Sequence, residues 1–175
     1  MPGEDNLLLR KTWKSKPFGA YTDSMEKELT FHYLVRGVLI ADGRVLVARE
    51  IGADNTFLPG GHIERGERAE AALVRELQEE IGLEPVVGQF LGAVEHVWPQ
   101  DVRDNHEINL LFEIEIDRLN SNRPPESLEP HLEFLWVEPS RLADVNLQPF
   151  PLIDLFQQRA GTDHPFWASS HNLPA

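Results

Sequence analysis

Residues 61–83 read GHIERGERAEAALVRELQEEIGL, and the reading of the whole chain turns on this stretch. Gly60, Gly61 and Gly66 punctuate a loop. From Glu67 to Ile81 there is neither Gly nor Pro, and Gly82 ends the run, so the spacing predicts a helix over 67–81. At about 100° per residue, Glu76, Glu79 and Glu80 share one face of that helix. Leu73, Val74, Leu77 and Ile81 form the adjacent core stripe. Ala69 and Ala72 fall on the carboxylate side and are small enough to leave room above it, while Arg75 points away from the carboxylate centre. Carboxylates crowded on one face repel each other. A hard divalent cation removes that cost, and a donor set made only of oxygens favours Mg²⁺ or Mn²⁺ over zinc.

On an arbitrary helix, glutamates at this spacing usually form a solvated face. The surrounding residues argue otherwise here. The run fits G-x5-E-x7-R-E-U-x-E-E-x-G-U, with U aliphatic, at Gly61, Glu67, Arg75, Glu76, Leu77, Glu79, Glu80, Gly82 and Leu83. At residue frequencies near one in 15, a chance match is roughly one in a million. The pattern resembles the signature of the Nudix hydrolase superfamily. That resemblance implies an α/β fold, the Nudix α/β/α sandwich with a mixed β-sheet. It implies that Glu76, Glu79 and Glu80, with the Gly61 carbonyl, hold two or more Mg²⁺ or Mn²⁺ ions. It also implies an ion pair between Glu67 and Arg75 that fixes the loop against the helix. His62 and Glu64 occupy variable positions of the pattern.

The expected reaction is hydrolysis of a nucleoside diphosphate linked to a further moiety, of ADP-ribose, nucleotide-sugar or (d)NTP type. A diphosphate repels an anionic nucleophile, so cations must neutralise its oxygens and activate water. A carboxylate then takes the water proton. Glu79 or Glu80 can serve, or a downstream glutamate: Glu129 first, with Glu107 and Glu95 behind it. Arg49 and Trp98 are the candidate substrate contacts, Trp98 by stacking on a base or ribose-linked group. Some ADP-ribose-type members carry a proline 15 residues beyond the signature, and Pro99 stands 16 beyond Leu83. Asp101 stands where the dinucleoside-polyphosphate type has tyrosine, and Arg49-Glu50-Ile51-Gly52 departs from the coenzyme A type. The related isomerases use a catalytic cysteine, and this chain has none. A Nudix fold that binds nucleotides without turnover is the alternative of another class. Such a protein is expected to lose metal glutamates first, and none is missing.

Composition narrows the partners. Lys plus Arg number 16 against 29 Asp plus Glu, a net charge of −13, so long nucleic acids and anionic membranes are not expected to bind. A 41 % apolar fraction is ample for one core, and the absence of cysteine excludes a disulfide frame and a thiol nucleophile. No apolar run approaches a membrane span, and residues 1–24 lack a signal-peptide core, so a cytoplasmic location is expected.

The domain is expected over 25–160, with an N-terminal extension over 1–24 and a C-terminal tail over 161–175. The extension interleaves Arg10, Lys11, Lys14 and Lys16 with Trp13, Phe18 and Tyr21. A nucleic-acid arm can look like this, but the acidic remainder favours packing on the domain or against a second subunit of a homodimer. Tyr33–Ile40 and Val45–Ala48 read as strands around an Asp42-Gly43 hairpin turn, followed by a short strand at 56–58. Val86–Val97 reads as a strand interrupted by Gly88 and Gly92, and 98–105 as a polar loop. Leu110, Phe112, Ile114 and Ile116 alternate with polar residues as a half-buried strand. Residues 117–130 read as a second loop, 132–137 as the last strand and 152–159 as a closing helix.

Overall fold

The computed structural model describes residues 28–100, 103–117, 119–158 and 164–171. The extension expected over 1–24 lies outside the described residues. The chain order is β1 (Glu28–Val38), β2 (Ile40–Ala41), β3 (Arg44–Glu50), α1 (Ala69–Ile81), β4 (Val86–Gln100), β5 (Arg103–Glu115), β6 (Leu132–Val137), α2 (Leu152–Gln158) and β7 (Phe166–Ser169). Strands β1-β5-β4-β7 form one sheet, in that order, and β2-β3-β6 a second. The first sheet is mixed: β1 runs parallel to β5 and β7 parallel to β4, whereas β4 and β5 are antiparallel. Among the described residues no helix is long and apolar enough to cross a membrane.

The sheets lie between two helical layers, because their strands are apolar on both faces. On one side Leu73, Leu77 and Ile81 of α1 pack with Val35, Leu46, Phe112, Ile114 and Phe134. On the other, Leu152 and Leu155 of α2 pack with Val38, Val45, Val94, Leu111 and Val137. This is the α/β/α arrangement with a mixed sheet. The expected half-buried alternation of β5 holds at Glu113 and Glu115, which are partly or fully exposed beside the buried Ile114 and Ile116. It fails at Asn109, which is as buried as Ile114, and the same face carries Leu111 into the second cluster.

Helix α1 begins at Ala69, two residues after the expected start. The Glu67 carboxylate accepts from the Glu64 N–H (3.1 Å), and the Glu67 N–H donates to the Glu64 carbonyl (3.1 Å), which closes a turn before the helix. The helix ends at Gly82, whose φ of 69° is left-handed and whose N–H returns to the Gln78 carbonyl. Ala72 is fully buried and Val74 half-buried, the reverse of their expected places. The core face of α1 is therefore rotated toward the carboxylates, and Glu80 is buried with it.

Two further expectations change. Within 98–105, read as a polar loop, residues 98–100 and 103–105 are the facing arms of β4 and β5, with Trp98 opposite Asn105 and His96 opposite Glu107. Trp98 and Asn105, a facing pair, share one face of the sheet. Residues 166–169, in the segment read as a tail, form β7, opposite residues 92–95 of β4. Gly92 makes that pairing possible: its φ is 141°, and a Cβ there would collide with the backbone of Phe166. Gly92→Ala is expected to lower stability by about 2 kcal/mol or more, through backbone strain and displacement of β7. An unchanged melting temperature would contradict this.

Candidate active site

The site is built where the loop between β3 and α1 lies along β1. The Gly37 N–H donates to the Pro59 carbonyl, the Val35 N–H to the Gly61 carbonyl and the Ile63 N–H to the Tyr33 carbonyl, at 2.9, 2.9 and 3.0 Å. The approach leaves no space for side chains at its centre. A Cβ on Gly60 would strike the Val35 carbonyl, and one on Gly61 would strike the Glu76 carboxylate.

Beneath this loop Glu80 is only 4 % exposed. Its Oε2 accepts the Gly60 N–H at 3.2 Å. Burial pushes its carboxyl up to about 8, and repulsion from Glu76 and Glu129 adds to that; Arg36 and the Gly60 N–H pull the other way. On the other side of Gly60, Arg36 Nη1 donates to the Gly60 carbonyl (2.5 Å) and the Leu58 carbonyl (3.1 Å). Its Nε donates to Asn109 Oδ1 (3.2 Å), and its guanidinium lies 5.1 Å from the centre of the Phe57 ring. Burial lowers the Arg36 pKa, against the attraction of Glu107, Glu80 and Glu76.

Arg75 is the hub of the outer half of the site. Its Nε and Nη2 bond the two oxygens of Glu67, each at 3.0 Å, in a bidentate pair. Nη1 reaches Glu76 Oε1 at 2.8 Å and Glu79 Oε2 at 3.2 Å, and Nη2 also donates to the His62 carbonyl at 3.0 Å. The long side chain thus bends back across the carboxylate face, which corrects the expectation that it points away. These bonds, with the Glu67 bond as the largest cause, hold the guanidinium well above its ordinary pKa and Glu67 below its own.

Among the described residues no three His, Cys, Asp or Glu side chains converge on one point as they stand. Arg75 holds Glu76 and Glu79, and Gly60 holds Glu80. The donors nonetheless suit a hard cation. Every one is an oxygen, Glu79 is half exposed at the end of its bond to Arg75, and Glu80 is buried with no cation in direct contact among the described residues. Gly61 O, whose one bond is to the Val35 N–H, keeps a second lone pair.

The other residues singled out from sequence lie around this centre. Glu129 is near enough to Glu80 to raise its pKa, and it stands 3.4 Å from His131. Its turn is tied to the last turn of α1 by the Leu128 N–H, which donates to the Glu80 carbonyl at 2.7 Å. Arg49 forms a cross-strand pair with Glu133 on β6, at 2.6 and 2.9 Å. Glu95 accepts the Ser169 hydroxyl at 2.7 Å. Trp98 lines an open cleft of about 550 Å³ that begins at Arg36 and is walled by Phe57, His96, Glu107, Asn146 and Gln148. Its ring stacks beside His32 and His96, with centroids 5.5 and 5.4 Å away. Arg49 does not line this cleft; Arg36 does.

Sequence reasoning missed Arg36, Asn105, Asn109 and the Asn146–Gln148 wall. Two signals were available: a lone cation inside the apolar run 33–40, and the alternation Asn105, Glu107, Asn109 on one strand face.

The buried Glu80 carries a pH signature. Its pKa rises from 4.5 to about 8 on folding, so the folded chain binds the extra proton between those values. The stability this contributes is complete below the unfolded pKa and is lost as pH rises through about 8. In EDTA, Glu80→Gln is expected to melt above the wild type near pH 9 and to lose that advantage near pH 5. Parallel melting temperatures across this range would contradict the burial of the acid. Glu67→Gln and Arg75→Ala are expected to be non-additive in melting temperature, as partners in one pair are. Strict additivity would show the pair to be uncoupled.

A model of the NUDIX domain matches residues 31–168. An ADP-ribose pyrophosphatase of Methanocaldococcus jannaschii is 36 % identical over 89 residues, covering 47 % of this chain and 49 % of that protein. The chain thus spans about half the length of this relative. The CTP pyrophosphohydrolase of Escherichia coli is 28 % identical over 137 residues, covering 70 % of this chain and 89 % of that one. The solution structure of the E. coli ORF135 protein superposes with a TM-score of 0.54 at 25 % identity, over 75 % of this chain and 93 % of that one. Since the family match takes in the glycine loop, the glutamate helix and both sheets, the chain belongs to the NUDIX domain family.

Proposed function

We propose that the chain is a divalent-metal-dependent pyrophosphohydrolase. It opens the diphosphate linkage of a small nucleotide, a nucleoside triphosphate or a nucleoside diphosphate joined to a sugar such as ribose, with water as nucleophile. The observation that carries the proposal is Glu80, buried beside Glu76 and Glu129 under a loop that no side chain can enter. A buried acid held beside like charges is costly unless a cation comes to it. In this proposal Glu76, Glu79, Glu80 and the Gly61 carbonyl hold Mg²⁺ or Mn²⁺, two or more ions. Bound there, the metal neutralises the diphosphate oxygens and lowers the pKa of the attacking water.

The chain's own groups do the rest. Arg75, braced by Glu67, orients Glu76 and Glu79 and gives up part of its hold on them when the site fills. Glu129, fixed against the end of α1, takes the proton from water. The cleft beside Arg36 receives the nucleoside, with Trp98 as its stacking wall. Arg49, at the end of β3, is assigned to the group beyond the diphosphate, which it meets only by sharing its guanidinium with Glu133. Two relatives, an ADP-ribose pyrophosphatase and a CTP pyrophosphohydrolase, support diphosphate cleavage.

Phosphate release from CTP, other nucleoside triphosphates and ADP-ribose, with inorganic pyrophosphatase coupled for the diphosphate product and a phosphatase for the sugar phosphate, tests the proposal. Turnover is expected in Mg²⁺ and not in EDTA. Glu79→Gln and Glu80→Gln are each expected to lower kcat by about a hundredfold or more. Full turnover in EDTA, or near wild-type kcat in both variants, would contradict it.

A further inference from the structure

We propose that Glu107 reads the hydrogen-bonding edge of the nucleobase, so that the cleft selects nucleotides whose base keeps that edge unmodified. This rests on the cleft being the nucleoside site of the function proposed above.

Asn105, Glu107 and Asn109 alternate along β5, so they share the sheet face that carries Trp98 and His96 of β4, their partners in register. All three are buried, an unusual run of polar groups. Asn109 is fully used: its Oδ1 accepts from Arg36 at 3.2 Å, and its Nδ2 donates to Glu107 Oε1 at 2.7 Å. The other two are not. Glu107, 7 % exposed, lines the cleft, and among the described residues only its Oε1 has a donor. Asn105 is 5 % exposed; its Oδ1 faces His32 Nε2 at 3.3 Å, and its Nδ2 is buried with no acceptor. Buried polar atoms left without partners are rare and costly.

The cleft therefore offers one open acceptor, Glu107 Oε2, whereas Asn105 does not line it and its Nδ2 is closed off. The edge of a nucleobase supplies the complement, an N–H. The cleft is also unsuited to a second phosphate. Arg36, the only cation lining it among the described residues, already donates to two carbonyls and an amide, and Glu107 adds a negative charge. A site that only stacked bases would need no such acceptor.

Methylating the edge tests this. Binding of uridine 5′-monophosphate and its N3-methyl derivative is measured by calorimetry on the full chain, with guanosine 5′-monophosphate and its N1-methyl derivative as a second pair. Turnover of the matching triphosphates in Mg²⁺ is followed in parallel. Methylation is expected to weaken monophosphate binding by about tenfold or more, as loss of a hydrogen bond to a charged group does. It is expected to raise KM for the triphosphate with kcat little changed. Glu107→Gln, which keeps the shape and removes the charge, is expected to narrow the methylation gap. Equal binding of the methylated and parent compounds by the wild type, or no binding of either pair, overturns the inference. So does a Glu107→Gln variant that loses kcat equally on all substrates with the methylation gap intact, because Glu107 then serves the chemistry. If neither these triphosphates nor ADP-ribose turn over while the gap persists, the hydrolase proposal falls and the edge reading stands.

Discussion

Gly60 is the residue from which the rest of the site is held. It passes so close to β1 that a Cβ would strike the Val35 carbonyl, and a Cβ on the neighbouring Gly61 would displace the Glu76 carboxylate. That closeness brings the Gly60 N–H onto Glu80 and its carbonyl onto Arg36. A buried acid and a half-buried cation are thus joined through one residue, the acid on the N–H of the peptide that enters it and the cation on the carbonyl of the peptide that leaves it. A methyl group here would have to push the loop off the strand. Glu80 would then lose its donor, Arg36 its acceptor, and Glu76 the surface it lies against.

Charge in the site is arranged in two tiers. Arg75 gathers Glu67, Glu76 and Glu79 near the surface, where solvent moderates both the attraction and its loss. Glu80 and Arg36 sit deeper, in surroundings that penalise both their charges. Glu79, the most exposed of the outer carboxylates, is the one solvent reaches most easily. The inner tier adjoins the core, where Leu73 lies beside Gly60. The arrangement gives up stability at Glu80 to keep a strong, dry oxygen donor aimed at the loop.

How much of this could be read from the sequence depended on whether the signal was local. The helix, its glycine stop and the shared face of the three glutamates follow from residues a few positions apart, and the structure has them at those positions. The alternation in 110–116 likewise announced a strand in the right place. What escaped was set by contacts across the chain. Arg36 looked like an interruption of an apolar strand until Leu58, Gly60 and Asn109 were seen to converge on it. The polar run at 98–105 looked like a loop because it has no apolar alternation, and only the register of β4 against β5 shows its ends as paired strands. β7 follows no periodicity of its own; a glycine 74 positions earlier in the chain makes its place. Arg75 was misjudged because a helix angle fixes the Cβ direction and not where a long side chain ends.

The central claim is that the buried Glu80 carboxyl is part of a divalent-cation site. Titrating the metal-free protein with Mn²⁺ at about pH 7, in buffers of differing ionisation enthalpy, counts the protons released on binding. The account predicts saturable binding with release of about one proton, because Glu80 must ionise to become a ligand and its pKa near 8 keeps it protonated beforehand. That release should vanish in Glu80→Gln. Saturable binding with no proton release, or release unchanged in the variant, would contradict it.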